Sequence, residues 1–243
     1  MRVLITGASR GIGRAIALTL AGDHDIAVGY RTASTAAAEV VDEVRRQGST
    51  AVSVGVDVRD SEAVESMIAE VVNELGGLDA VVNNAGIVEP DLATDIDDAR
   101  WNRVLDTNLT GAFYVTRAAI PHLEPDGDVV FVSSIGGTGG TVDASYAASK
   151  AGLHGLTRSL AREYGDGGLQ VNAVAPGPVE TDMNDTILEY LEAVDFRGHE
   201  NVDTQLPEYA CQPGDVAHTV AYLLKNEYVQ GEIVNVNGGM QFQ

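Results

Sequence analysis

The chain has 243 residues, 44% of them hydrophobic, and carries 36 acidic against 15 basic residues for a net charge of −21. That length can enclose one large core, while so acidic a balance excludes nucleic acid and anionic membrane as partners, since both need a basic face. A single cysteine, Cys211, excludes an internal disulfide and a cysteine-based zinc cluster, and no apolar run reaches the roughly eighteen residues that span a bilayer.

The first strand, RVLIT (2–6), runs straight into GASRGIG and a helix over 11–21. This start has no signal-peptide pattern, so a cytoplasmic location is expected. DIAVGY (25–30) precedes a helix over 35–47, and AVSVGV (51–56) precedes one over 61–75. LDAVVNN (78–84) leads to a long helical stretch over 97–123, and DVVFVSS (128–134) to a helix over 144–165. After LQVNAVA (169–175) the segment 182–212 breaks the alternation and reads as a substrate-binding loop or lid. A helix over 213–225 and EIVNVNG (232–238) close the chain. Strands this continuously apolar suit a parallel sheet covered on both faces. Their alternation with helices predicts a single α/β domain over 1–243, a doubly wound Rossmann sheet of about seven strands.

At the first strand–helix junction stand Gly7, Gly11 and Gly13. Glycines there permit a tight turn and bring backbone N–H groups against a pyrophosphate at the helix N-terminus. The spacing is TGxxxGxG rather than GxGxxG. The second strand ends GYRTAST, with Arg31 and no carboxylate over positions 29–35, and Arg10 lies inside the glycine turn. Two arginines without an acid favour a ribose 2′-phosphate, hence NADP(H).

In SYAASKAGLHG, Tyr146 precedes Lys150 by four residues, and the chain contains one other lysine, Lys225. Residues four apart share a helix face. A neighbouring ammonium is expected to lower the tyrosine pKa, making Tyr146 a general acid. Alone, such a pair reads sooner as an ordinary i,i+4 surface contact on a helix. Its company decides the reading: Ser133 and Ser134, Asn83, Asn84 and Gly86, and Pro176, Gly177 and Thr181 all fall at strand ends on one edge of the sheet, where doubly wound folds bind ligands.

TGASRGIG, NNAG, the serine pair, YAASK and PGPVET, in this order, resemble the short-chain dehydrogenase/reductase family over nearly the whole chain. The resemblance implies catalytic Asn108, Ser134, Tyr146 and Lys150. Tyr146 would be the acid and Ser134 would hold the carbonyl. Lys150 would bind the nicotinamide ribose, and Asn108 would anchor a water. It also implies cofactor contacts from Ser9, Ile12, Asp57, Val58, Asn84, Ala85, Pro176, Gly177, Val179 and Thr181, beside the glycines and arginines above. A homotetramer is implied too. The Ser134–Tyr146 interval is one residue short of the family pattern, and Ser133 would restore it.

Within the family the motifs are most similar to 3-oxoacyl-thioester reductases, which implies an acyl substrate on carrier protein or coenzyme A. Both carriers are anionic, so this acidic chain would need arginines at the mouth, with Arg100, Arg103 and Arg197 as candidates. EYACQPGDVA departs from the reductase pattern, which keeps a sugar or secondary-alcohol dehydrogenase as the alternative; a non-catalytic nucleotide-binding protein is a more distant one. His122, His154, His199 and His218 lack ligand spacing, so no metal is expected. Trp101 reads as packing, Cys211 as an inert thiol, and DIDDAR as a helix N-terminal charge cluster. The acidic, lysine-poor composition resembles that of proteins from salt-loving organisms and predicts salt-dependent folding.

Overall fold

The computed structural model describes residues 1–141, 143–194 and 204–240. Its strands are β1 (Arg2–Ile5), β2 (Asp25–Tyr30), β3 (Ala51–Gly55), β4 (Leu78–Asn83), β5 (Leu123–Val132), β6 (Gln170–Pro176) and β7 (Ile233–Val236). They form one all-parallel sheet in the order β3-β2-β1-β4-β5-β6-β7. The helices are α1 (Gly11–Leu20), α2 (Ser34–Arg46), α3 (Ser61–Leu75), α4 (Asp98–Leu105), α5 (Gly111–Ala119), α6 (Gly136–Gly139), α7 (Ala144–Tyr164), α8 (Asp182–Ala193) and α9 (Pro213–Lys225).

Period-two alternation splits each strand between the two faces. Val3 and Ile5 pack with Ile16 and Leu20 of α1, Val40 and Val44 of α2, and Val220 and Leu223 of α9. Leu4, between them in sequence, joins Met67 and Ile68 of α3 and Val115 of α5 on the other face. Further along that face, Phe131 and Val171 meet Leu153 and Leu160 of α7. Each large, fully buried side chain of this kind contributes about 1.5–3 kcal/mol. Chain order reverses between β1 and β4, so the loops after them part and leave a crevice at the carboxyl edge.

The stretch expected as one helix over 97–123 is instead broken. Asp97 caps α4 by accepting from the Arg100 N–H at 2.7 Å, with Asp98 in the first turn, as the acidic run suggested. A π turn then spans Asp106–Thr110 before α5. Close packing accompanies the bulge: a Cβ on Gly111 would stand 2.7 Å from Val58 Cγ2, and one on Gly152 would stand 2.6 Å from Leu109 Cδ2. The extra residue in the turn leaves Asn108 facing inward, 1% exposed. Pro121 then ends the helix in a 3-10 turn, and β5 starts at Leu123, earlier than expected, with its register slipping between Leu78 and Ala80 of β4. Trp101 does not pack as expected: α4 buries Val104 and leaves the indole 37% exposed.

Of the segment 182–212, residues 182–194 and 204–212 are described; α8 occupies most of the first part and buries none of its residues. Arg197 and His199 lie outside the described residues.

Candidate active site

A cleft of about 1640 Å³ opens at the carboxyl edge of the sheet and is lined by the glycine turn, the β4 and β5 ends, α7 and α8. Gly7, at φ 64°, adopts a conformation that side chains rarely take. A Cβ on Gly13 would stand 2.5 Å from both the Gly7 carbonyl and the Asn84 amide. The turn is held from two sides. Asn84 donates from Nδ2 to the carbonyls of Thr6 (2.9 Å) and Gly7 (3.0 Å). Thr6 Oγ1 accepts from the N–H groups of Asn84 and Ala85, both at 3.0 Å. The Asn84 side chain thus spends its donors bracing the turn. Its neighbour Asn83 donates to Thr116 Oγ1 at 2.9 Å.

Ser9, Arg10, Gly11, Ile12, Arg31, Asp57, Val58, Ala85, Gly86, Pro176, Gly177, Val179 and Thr181 all line the same cleft. Arg31 is exposed. Asp57 is gripped by Arg59, Nε to Oδ1 at 2.9 Å and Nη2 to Oδ2 at 2.5 Å, and this guanidinium holds its carboxyl below the usual range. Arg59 is a residue that motif reading missed; its spacing two residues after Asp57 was the available signal.

The catalytic candidates converge at the β5–α7 junction. Asp143, buried and at φ 102°, caps α7 by accepting from the Tyr146 N–H at 3.0 Å, and also from Ser145 Oγ. A non-glycine residue in that region of backbone space is strained. Tyr146 and Lys150 are both buried, and the Lys150 Nζ lies 5.6 Å from the tyrosine ring centre. Lys150 donates to the Val132 carbonyl at 2.9 Å. The expected lowering of the tyrosine pKa is not what the geometry gives. Burial pushes Tyr146 up to about 12, the adjacent Ser134 hydroxyl opposes this, and Asp143 adds to it. Burial likewise brings Lys150 down to about 8. Desolvation of the phenol outweighs an ammonium whose nearest hydrogen bond is to a backbone carbonyl.

The two serines part company. Ser134 faces Tyr146 and accepts from the Gly136 N–H at 3.0 Å. Ser133 points away from the phenol: its Oγ donates to the Lys150 carbonyl at 3.1 Å and meets His154 Nε2 at 2.8 Å. His154 therefore joins the site's supporting structure, and burial holds its pKa below the ordinary value. Asn108 is clamped: Oδ1 accepts from the Ile87 N–H (2.8 Å), while Nδ2 donates to the Ile87 carbonyl (2.9 Å) and Ser149 Oγ (3.1 Å).

Arg100 and Arg103 do stand together, but they are not among the residues lining the cleft and each is already paired. Arg100 holds Asp91, and Arg103 holds Glu89 at 2.7 Å from Nε. Both carboxyls sit below their usual range as a result. Tyr190 of α8 reaches Asp91 at 3.5 Å. Cys211 is half-buried, its pKa raised by burial, which keeps it a thiol.

Residues 1–191 match the model of the family described as short chain dehydrogenase. The chain belongs to that family. Over 244 aligned residues it is 41% identical to the 3-oxoacyl-[acyl-carrier-protein] reductase FabG of Staphylococcus aureus, covering 98% of this chain and 96% of that one. The Escherichia coli protein of the same name is 37% identical over 243 residues, again 98% and 96%. Among solved structures, a dehydrogenase/reductase from Sinorhizobium meliloti superposes with a TM-score of 0.90 at 35% identity, covering 99% and 95% of the two chains. A short-chain dehydrogenase from Burkholderia cenocepacia in complex with NADP gives 0.89 at 34% identity, covering 98% and 97%.

Proposed function

We propose that this short-chain dehydrogenase reduces 3-oxoacyl thioesters, carried on acyl carrier protein or coenzyme A, to 3-hydroxyacyl thioesters with NADPH. The carrying observation is the placement of Ser134, Tyr146 and Lys150 on one wall of a cleft whose other end is the braced glycine turn. The turn fits a dinucleotide: Gly13 has no room for a side chain, and Arg10 and Arg31 line the cleft without a carboxylate at the end of β2. The names of the relatives support the thioester substrate, and the NADP-bound neighbour supports the cofactor.

Bound NADPH supplies the hydride that reduces the keto carbon. Ser134 Oγ, held by the Gly136 N–H, donates to the substrate oxygen and orients it. Tyr146, protonated up to about 12, gives its proton to that oxygen, which becomes far more basic than a phenolate as negative charge develops. Lys150, an ammonium below about 8, would bind the cofactor's ribose and would stabilise the phenolate left behind. Asn108 keeps the loop after β4 in place through both polar groups of Ile87. α8 would serve as the lid, presenting Met183, Ile187, Leu188 and Leu191 to the acyl chain. The assembly is taken to be a cytoplasmic homotetramer.

NADPH oxidation with acetoacetyl-CoA in concentrated salt tests the reading, alongside NADP reduction with aldoses and secondary alcohols. Turnover of the thioester, abolished in Tyr146→Phe, is expected. Turnover of only sugars or alcohols would replace it with the alternative reading.

A further inference from the structure

We infer that Asp182 sets the degree of cofactor discrimination by competing with the ribose 2′-phosphate for Arg10. The inference rests on the NADP(H) reading above and goes beyond it, because it gives a lid residue a role at the nucleotide end of the cleft.

The Ala8 N–H donates to the Gly29 carbonyl at 2.9 Å, which stitches the glycine turn to the end of β2. Arg10 and Arg31 each stand two residues beyond that stitch, and both line the cleft. From the opposite wall the start of α8 comes up to the turn. A methyl on Gly11 would lie 3.6 Å from Thr181 Cγ2, and the next residue, Asp182, places Oδ2 3.0 Å from Arg10 Nη1. Arg31, by contrast, forms no ion pair among the described residues. One of the two arginines suited to the phosphate is therefore engaged by a carboxylate of the lid.

Both partners of the pair are 79% exposed. Water screens such a contact, so it is weak and readily exchanged. A phosphate monoester carries more charge than a carboxylate and offers three acceptor oxygens, which makes it the stronger partner for a guanidinium. While Asp182 remains near Arg10 it also repels the incoming phosphate. NAD(H) has no 2′-phosphate and leaves the pair intact. Asp182 thus penalises NADP(H) more than NAD(H), and discrimination falls below what two unpaired arginines would give.

The test is calorimetric titration of NADPH, NADH and adenosine 2′,5′-bisphosphate, at one ionic strength, into the wild type, Asp182→Asn, Arg10→Gln and the double variant. Asp182→Asn is expected to tighten NADPH and the bisphosphate by about two- to fivefold, and NADH by less than about twofold. In the Arg10→Gln background that gain is expected to vanish. Equal tightening of NADPH and NADH would mean only a general loss of negative charge, and would overturn the inference. So would a gain that persists without Arg10, or no gain at all in a wild type that prefers NADPH. A wild type that binds NADH as tightly as NADPH, unchanged by Arg31→Gln, would instead sink the NADP(H) reading and this inference with it.

Discussion

Burial acts on Tyr146 and Lys150 in opposite directions, raising one to about 12 and lowering the other to about 8. The phenol is thereby kept as a proton donor, while the lysine titrates close to working pH. Because desolvation disfavours the ammonium, the charged form is present below about 8 and is lost as pH rises through that value. The rate of 3-oxoacyl reduction is expected to fall on the alkaline side around that pH. Lys150→Arg is expected to remove that limb from the pH–rate profile and to lower kcat, since a planar guanidinium replaces a compact ammonium. The serines give a second contrast. Ser134→Ala removes the hydroxyl facing the phenol and should lower kcat by about 10²–10³-fold, on the scale of losing one donor to a developing oxyanion. Ser133→Ala breaks the link to His154 and the Lys150 carbonyl, so its effect should appear in the thermal midpoint before it appears in kcat. Equal kinetic losses in both variants would contradict the assignment. Sequence spacing favoured neither serine cleanly. Just beyond β5 the two side chains diverge, Ser133 toward His154 and the Lys150 carbonyl and Ser134 toward Tyr146, which favours Ser134.

Among the elements, α7 carries Tyr146 and Lys150 on one face, as the four-residue spacing indicated. Its N-cap was not legible. Asp143 follows a glycine-rich loop with no apolar periodicity to mark a helix start, yet its side chain both holds the Tyr146 N–H and reaches the Glu89 N–H at 3.4 Å. Asp143→Ala is expected to cost about 1–2 kcal/mol, the loss of a cap. It should also reduce kcat more than KM, because the first turn of α7 bears Tyr146, the proposed proton donor; denaturant titration and steady-state kinetics would measure both effects. The π turn was equally hidden. DTNLTGAF holds weak helix formers, Gly111 among them, but propensity does not mark a π turn; the bulge packs against Val58 and Gly152, which are distant in sequence. The strands themselves and the glycine turn were legible because β-branched runs and glycine spacing are local signals, whereas the order of the strands in the sheet is set by tertiary contact. The pairings of Arg100, Arg103 and Arg10 were not, since ion-pair partners from Glu89 to Asp182 are chosen by tertiary contact.

For the whole molecule, a net charge of −21 makes self-repulsion a standing load on the folded state. The thermal midpoint is expected to rise steeply between about 0.1 and 2 M KCl as the Debye length shrinks; a flat response would show that the surface carboxylates do not govern stability. One carboxyl acts from inside. Asp128 is 4% exposed, and burial alone lifts its pKa to about 7. Its unfolded value is about 3.9, so between about pH 4 and 7 the native state holds a proton that the unfolded chain has released. Its contribution is therefore favourable at low pH and is lost as pH rises through about 7, to the extent of about 2–4 kcal/mol. In Asp128→Asn the part of the stability–pH slope due to this group should disappear, which paired denaturation curves at pH 5 and pH 8 would show. The packing of α9 on α1 has a further consequence. Val220 and Leu223 cover Ile16 and Leu20, so α9 closes over α1 from far along the chain. During synthesis α1 can pack with β1 and α2 early, but it gains this last cover only once α9 has been made.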